Sequence, residues 1–467
     1  MRDRTRDRIQ EHPLIPAILE AGLERGEPVY LVGGAIRDLA LDLQPVDLDF
    51  ATLHPYDMAI FFAKRYGSHV VPLGKEATPT YRIPLDELRL DWVGLYEGSL
   101  EADLNRRDFT INSIAYDVEE RRFMDPTGGF HDLAEGRIRM ASPGAFLDDP
   151  VRILKAFRMV AQLPGFRLDP ETERAASSQR DAMLGVPTER LQLEMEHLFA
   201  SPRAGEAVRL MAASEVLFVL VPELARLKGL QQNHYHHADV LEHTLEALEQ
   251  LDGAPAWLAD LGLPPLDTGQ LSLLRMALLF HDAGKADTRT VDAEGNVHFY
   301  GHPKPSAEIA REVLHRLRFS NAEAEDVSDL CLNHLRPLAL IKSEPGRTPL
   351  RRLIHSMGDL LPLLLALAYA DKSAARGAEM ESNLAQLRAL SRQTMAMAAS
   401  DGPELRRLPK LVDGLRAMDI LGLQRPGPEL GQALDALMER QVDGTINDAP
   451  AAEAFLREWA GRRDARR

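Results

Sequence analysis

The 467-residue chain has a single cysteine, Cys331, so no disulfide framework is open to it and a reducing cytoplasm is its natural setting. Aromatic residues make up only 6%, and no apolar run reads as long enough to span a bilayer. The N-terminal "MRDRTRDRIQEHPLI" is charged and lacks the apolar core of a signal peptide. Tandem repeats and low-complexity tracts are missing. Positive charge is scarce as well: 55 Lys and Arg against 71 Asp and Glu leave a net charge of −16. That balance weighs against nucleic-acid binding, because phosphate contacts need cations. Two local patches run the other way. "LREWAGRRDARR" at the C-terminus holds five arginines and two acids, and "RTPLRRL" (347–353) is basic. Either can equally be a solvated helix end.

What is present is an ordinary soluble composition, 45% hydrophobic and 27% charged, long enough for two to four domains. Leu, Ala, Arg and Glu are abundant, so helix should dominate. "PVYLVGG" (28–34) reads as a buried strand entering a Gly-Gly turn, "AIRDLAL" as a short helix and "VDLDFAT" as a second strand. "FFAKRYG" looks helical, and "TYRIPLDELRLDWVGL" (80–95) reads as a hairpin turning near Asp86 and Glu87. Strand signals fade after "RRDFTINSIAYDVEERRFMDPTGG" (106–129), and from about residue 146 apolar residues recur at spacings of three and four. The fold class expected is α+β, a small mixed head followed by an all-helical remainder. "GLPPLDTG" (262–269) is a loop within the helical part, and "LQRPGPELG" (423–431) joins helices near the end.

Asp47 and Asp49 lie two apart on a strand, so both carboxylates point to one face, about 7 Å apart along the chain. A hard divalent cation such as Mg²⁺ relieves their repulsion, and a pair of such ions can activate a hydroxyl and steady a leaving pyrophosphate. An isolated D-x-D is more often a pair of surface acids. Here Gly33 and Gly34 stand just before it, able to bring backbone N–H groups close to an anion, and Arg37 comes one helical turn on. That combination suits a nucleoside triphosphate with its metal.

"LVGGAIRDLALDLQPVDLDFAT" and "RRDFTINSIAYD" closely resemble the motifs of the class II tRNA nucleotidyltransferase and bacterial poly(A) polymerase family, a branch of the DNA polymerase β superfamily. "DPTGG" (125–129) matches a further turn. The one departure is Asp42 after Leu41, where Leu-Gly is usual, a change expected to alter a loop rather than the chemistry. The resemblance implies a nucleotidyltransferase head with Mg²⁺ on Asp47 and Asp49. It assigns Arg106 and Arg107 to triphosphate and nearby nucleic acid, and Asp108 and Asn112 to nucleotide positioning and framework. Asp108 reads equally as a buried hydrogen-bonding group. The superfamily's third carboxylate falls on Asp91, which alternation places with Arg89 on the face opposite Leu88 and Leu90; a solvent-facing strand acid is the competing reading.

"LDDPVRILKAFRM" (147–159) reads as a helix start, capped by Asp148 or Asp149 with Pro150 in the first turn. Asp149 and Arg152 share a face, as a salt bridge or as a pair able to read a base edge. The family's Glu-Asp-x-x-Arg motif does the latter, selecting CTP and ATP without a nucleic-acid template; here Asp148 replaces the Glu. The same resemblance adds Arg158 to the nucleotide-binding set, and in "VPTERLQLEMEHLF" (186–199) it gives Glu189 and Arg190 a bracing role.

A second chemistry is written in the helical part. His243, the doublet His281-Asp282, His302, His334 and Asp371 are residue types that suit a transition metal, although any one of these histidines alone is more often a packed side chain. The set resembles the HD phosphohydrolase superfamily. That implies His243, His281, Asp282 and Asp371 as ligands of a divalent transition metal of open identity, His302 and His334 for a second metal or a phosphate, and Lys285 for phosphate. The implied activities are 2′,3′-cyclic phosphodiesterase, 2′-nucleotidase and phosphatase.

The segments expected are a head (25–145), a helical neck carrying the templating helix (146–228), an HD body (229–395) and a helical tail (396–467). The implied partners are tRNA, CTP and ATP, with no membrane. Only 14 residues, 92–105, separate Asp91 from Arg106, and "WVGLYEG" is short for the flexible lever of CCA-completing members. The expectation is C addition to tRNA 3′ ends, CC rather than CCA. A-adding and poly(A)-adding members, an HD hydrolase with a nucleotide-sensing head and a non-catalytic RNA-binding protein are the alternatives. The intact acids speak against the last two.

Overall fold

Alternation of apolar and polar residues in "DLDFAT" sets the centre of a seven-stranded sheet. The computed structural model describes every residue except 76–77, 86–87, 233–238, 254–255, 344, 376–379, 406–407 and 465–467. It divides into two compact units, residues 1–222 and 223–467. In the first unit the strands are β1 (Tyr30–Val32), β2 (Asp47–Thr52), β3 (Val71–Lys75), β4 (Thr78–Leu85), β5 (Leu88–Gly94), β6 (Ala115–Asp117) and β7 (Arg122–Met124), in the order β3-β4-β5-β2-β1-β6-β7. β2 and β5 run parallel, and the other neighbours are antiparallel. β4 and β5 pair as the expected hairpin, whose turn at Asp86 and Glu87 lies outside the described residues.

Helices α1 (Arg2–Glu11), α2 (Ile15–Arg25), α3 (Gly34–Ala40), α4 (Pro55–Arg65) and α5 (Leu100–Asn105) belong to the head. Leu48, Phe50, Leu90 and Trp92 are buried on one face of the sheet, where Phe50 and Phe62 each meet the Trp92 ring at 5.3 Å. The opposite face is left to the acids. A single turn of 3-10 helix, Tyr96–Gly98, and α5, capped by the Ser99 hydroxyl, fill the interval between Asp91 and Arg106.

Further along the chain, among shorter helices, lie α6 (Val151–Gln162) and α7 (Thr188–Ala200). The expected cap on α6 is not made. Asp148 closes a preceding four-residue helix, Asp149 is extended, and Pro150 occupies the N-cap position. Strand also persists beyond residue 129, as β8 (Arg137–Ile138) paired with β9 (Arg167–Leu168) and, in the second unit, β10 (Thr290–Val291) paired with β11 (Val297–His298). Two-residue strands are too short to leave a periodic signal.

The second unit is built on α8 (Val240–Glu249), α9 (Thr268–Phe280), α10 (Pro303–Arg316), α11 (Asn321–Asn333), α12 (Arg347–Met357), α13 (Leu361–Ala374) and α14 (Met380–Leu405). Asp267 with Gln270 and Ser320 with Glu323 form capping boxes that fix the starts of α9 and α11. Arg347–Ala374 is by length and composition apolar enough to cross a membrane, a test that a buried core helix also meets. Its apolar window is 67% buried within the unit, and Gly358 (φ 50) with a 3-10 turn divides it into α12 and α13. The last helices, α15 (Gly414–Leu421), α16 (Pro428–Val442) and α17 (Ala449–Asp464), share a core of Ala417, Leu421, Leu437 and Leu456. The basic 347–353 stretch is paired internally. Arg347 and Arg351 reach Asp401, and Arg352 reaches Asp443, which leaves this patch little charge for a polyanion.

Candidate functional site

In the head the parallel register sets Asp49 directly beside Asp91, and Asp47 beside Arg89. All three acids therefore rise from one face of adjacent strands. Arg82 donates to both oxygens of Asp91 at 2.8 and 2.7 Å, and Arg89 Nε lies 2.5 Å from Asp47 Oδ1. Burial pushes the Asp49 carboxyl up to about 6; Asp91 and Asp47 add to that rise and the Arg107 guanidinium opposes it. Asp49, raised in this way beside two further carboxylates, is the kind of group a hard divalent cation would relieve, with Arg82 and Arg89 holding Asp91 and Asp47 in place.

Gly33, at φ 78, turns the chain from β1 into α3. A Cβ there would stand 2.7 Å from Asp49 Oδ2 and 3.3 Å from Arg107 Nη1, so the turn approaches the acids only as glycine. Gly33, Gly34, Arg37, Asp47, Asp49 and Arg107 line a cleft of about 590 Å³. Its other wall carries Asp108, Asn112, Lys155 and Arg158. Arg37 donates to Asn112 Oδ1 (2.9 Å), Asn112 Nδ2 donates to Asp108 Oδ1 (3.0 Å), and Lys155 Nζ sits 2.6 Å from Asp108 Oδ2. Burial opposes ionisation of Asp108, yet Lys155, Asn112 and the Phe109 N–H together hold its carboxyl well below the ordinary carboxylate range. Lys155 escaped the sequence reading. Its signal is the spacing of three that joins Arg152, Lys155 and Arg158 on α6.

The arginine doublet divides. Arg107 lines this cleft and also a second cavity, again about 590 Å³, whereas Arg106 lines only the second. There its guanidinium lies over the Tyr96 ring, 4.1 Å from the centroid. Asp149 and Arg152 do not pair. Arg190 of α7 donates to both Asp149 oxygens at 2.9 and 2.7 Å, while Arg152 Nη1 donates to the Arg107 and Ala145 carbonyls at 3.3 and 3.2 Å. Arg158 is held by Glu194 (2.6 Å) and Gln162 (2.7 Å).

In the second unit six residues from the ends and faces of five helices converge. His281 ends α9, His302 precedes α10, His334 comes after α11, and His243 and Asp371 come from α8 and α13. Two groups could each hold a metal ion: His243, His281 and Asp371, and Asp282, His302 and His334. Asp371 Oδ1 is 2.7 Å from His243 Nε2 and 3.3 Å from His281 Nε2, and Asp282 Oδ1 is 3.2 Å from His302 Nε2. The Nδ1 atoms of His281, His302 and His334 lie 2.8, 2.8 and 2.6 Å from the carbonyls of Leu278, Phe299 and Cys331, so each donates there and turns its Nε2 inward. His302 and His334 Nε2 face each other at 3.2 Å, with Asp282 Oδ1 3.2 Å from the former, three donor atoms gathered where a cation would sit. These residues fit a metal.

Burial works against charge on His281, but Asp282 and Asp371 push its imidazole up to about 9. Burial and the charge on His281 bring His334 down to about 4. Gly284 seats this loop. A Cβ would meet the His302 carbonyl and Ser306 nitrogen at 2.6 Å. Lys285 Nζ reaches Asp282 at 2.6 Å and, with Lys372, lines the adjoining cavity of about 160 Å³.

Three family models match the chain: the poly A polymerase head domain over residues 29–139, the probable RNA and SrmB binding site of polymerase A over 165–228, and the HD domain over 235–376. An A-adding tRNA nucleotidyltransferase of Deinococcus radiodurans is 36% identical over 438 residues, 92% of this chain and 95% of that protein. A CC-adding tRNA nucleotidyltransferase of Thermus thermophilus is also 36% identical, over 440 residues, 93% of this chain and 94% of that one. Among solved structures, the Thermotoga maritima CCA-adding enzyme complexed with tRNA superimposes with a TM-score of 0.59 at 20% identity, covering 95% and 94% of the two chains, a likeness of fold.

Proposed function

The chain belongs to the tRNA nucleotidyltransferase family, and on that premise we propose that it adds C to tRNA 3′ ends from CTP without a nucleic-acid template, releasing pyrophosphate. The observation that carries this reading is the register of Asp49 against Asp91 beside Gly33, three acids facing a turn that admits a phosphate. Asp47, Asp49 and Asp91 would hold Mg²⁺, which when bound neutralises the triphosphate and activates the attacking hydroxyl.

The chain's own residues do the rest. Gly33 and Gly34 leave room for the phosphates, and Arg37, Arg107 and Lys155 supply charge along them. The 3′-oxygen forms its bond to the α-phosphorus as the bond to the pyrophosphate oxygen breaks, in line. With pyrophosphate on the β1 side, the 3′ end enters from the β5 side, where Arg106 and Tyr96 offer a cation and a stacking face. Arg152 and Asp149 read the base edge once Arg190 yields Asp149. Asp108 and Asn112 position Arg37 and Lys155, and Arg158 steadies α6 against α7.

For the His/Asp cluster we propose a phosphodiesterase or phosphatase acting on damaged tRNA ends, with His243, His281, Asp282 and Asp371 holding one divalent transition metal and His302 and His334 a second metal or a phosphate. The chain divides functionally at 25–145, 146–228, 229–395 and 396–467. A cytoplasmic setting agrees with its single, buried cysteine.

A-adding activity is the second reading, since the A-adding relative is as similar as the CC-adding one. The short turn at Tyr96–Gly98, where CCA-completing members carry a flexible lever, favours CC over full CCA addition and leaves A addition to be decided by experiment. Transcripts ending at the discriminator base, at C and at CC, incubated with Mg²⁺ and CTP, ATP or both, decide it. Growth that stops after two C residues supports CC addition. Completion to CCA refutes the short-lever argument, and A added only to the CC-ended transcript makes the enzyme A-adding.

A further inference from the structure

We infer that the N-terminal helix α1 is a positioning element of the nucleotide cleft, acting through a latch of Arg4 and Arg8 on Asp42. The inference rests on the cleft being a nucleoside triphosphate site.

Asp42 holds φ 63, a left-handed conformation that costs most L-residues energy and that glycine takes freely. This is the position where the sequence departs from the family's Leu-Gly. The carboxylate put there is not idle. Arg4 Nη2 lies 2.5 Å from Asp42 Oδ2, and Arg8 Nη1 lies 2.7 Å from Oδ1. The same Arg8 nitrogen donates to the Leu39 carbonyl at 2.9 Å, which also accepts the Asp42 N–H at 3.3 Å, so Arg8 braces the end of α3.

The segment just after Asp42 gives the latch its purpose. Leu43, Gln44 and Val46 form a wall of the cleft, and β2 begins at once with Asp47. Leu43 N–H donates to the Asp38 carbonyl at 2.8 Å, so the turn at Asp42 sets how this wall leaves α3. Helix α1 is in turn fixed to the sheet. Ile9 and Thr5 are buried, Gln10 Nε2 donates to the Tyr116 hydroxyl of β6 at 3.0 Å, and Arg2 lies 4.9 Å above the Phe130 ring. The wall is thereby referred, through α1, to the same sheet that carries the acids. Ion pairs at the surface are weak singly, so the latch tunes the wall rather than holding the fold together.

The test is CTP binding by the full-length protein with Mg²⁺, by equilibrium dialysis, alongside initial rates on a tRNA transcript. In Arg4→Ala/Arg8→Ala, Kd and KM for CTP rise about three- to tenfold, the range two surface ion pairs can carry, while kcat stays within about twofold. Adding Asp42→Gly to that double variant recovers most of the loss, because glycine holds the turn unaided. Should the double variant not fold, single variants carry the test: Asp42→Ala weakens CTP binding similarly and Asp42→Gly leaves it within about twofold. A folded double variant with wild-type Kd and KM overturns the latch and leaves α1 a structural brace. Wild-type protein that binds no CTP overturns the nucleotide-site reading beneath it.

Discussion

Asp149 accepts two hydrogen bonds from Arg190, while Arg152, three residues along the chain, turns away to two backbone carbonyls. The pair proposed to read the base is therefore held apart, and its assembly requires Asp149 to leave Arg190. Arg190→Ala should cost on the order of 1 kcal/mol of stability, as expected for a bidentate but partly exposed pair. Arg152→Ala should act on selection instead, letting UTP and GTP compete with CTP. Single-nucleotide gels with each of the four triphosphates, beside urea unfolding, check both.

Removing the acids should separate the two chemistries. Asp47→Ala/Asp49→Ala is expected to lower nucleotide incorporation about a thousandfold or more, the equivalent of several kcal/mol of charge stabilisation. Hydrolysis of a 2′,3′-cyclic nucleotide to its monophosphate should persist in that variant and vanish in His281→Ala/Asp282→Ala. Incorporation that survives loss of both head acids would sink the nucleotidyltransferase assignment.

The facing imidazoles of His302 and His334 predict that the second unit gains stability from metal. Mn²⁺, Co²⁺ or Ni²⁺ at a hundredfold excess over Kd should add about 2 to 3 kcal/mol, reversed by chelator. His302→Ala should abolish part of that gain, and differential scanning calorimetry with and without chelator reads it.

Asp49 carries a pH signature. Its folded value of about 6 lies above the ordinary 3.8, so the fold favours the neutral form. That contribution is complete below about pH 4 and is lost as pH rises through about 6. In chelator, the Asp49 contribution, read as wild type minus Asp49→Asn, should therefore fall by on the order of 1 to 2 kcal/mol between pH 4 and 7, allowing for the partial exposure of the group. Asp49→Asn should flatten the dependence, and Mg²⁺ should restore stability at pH 7. Urea midpoints across that range measure it.

The strand-turn-helix from residue 30 to 40 and the acids of β2 were legible because period-two alternation and a Gly-Gly pair are local signals. Asp91 was reachable for the same reason, since alternation fixes a face and the register then sets it beside Asp49. The cluster from His243 to Asp371 spans helices far apart in sequence, and only resemblance to a known family could join it. Contacts between distant residues left no trace: Arg190 on Asp149 is 41 residues away, and Arg4 on Asp42 is 38. The family resemblance assigned Arg106 and Arg107 together, yet both line the second cavity and only Arg107 also reaches the cleft of the acids. The helix cap expected of Asp148 or Asp149 failed because a four-residue helix ends there first.

Cys331 gives the cluster a built-in reporter. Its carbonyl receives the His334 proton, its sulfur is fully buried 3.6 Å from the Ala277 carbonyl, and burial pushes the thiol far above its usual range. A thiol so placed is inert to alkylating reagents while α9 and α11 stay packed. Because it is the chain's single thiol, the rate of its modification counts openings of the helix pair behind the histidines, one molecule at a time and with no engineered label. Metal that binds those histidines should slow that clock.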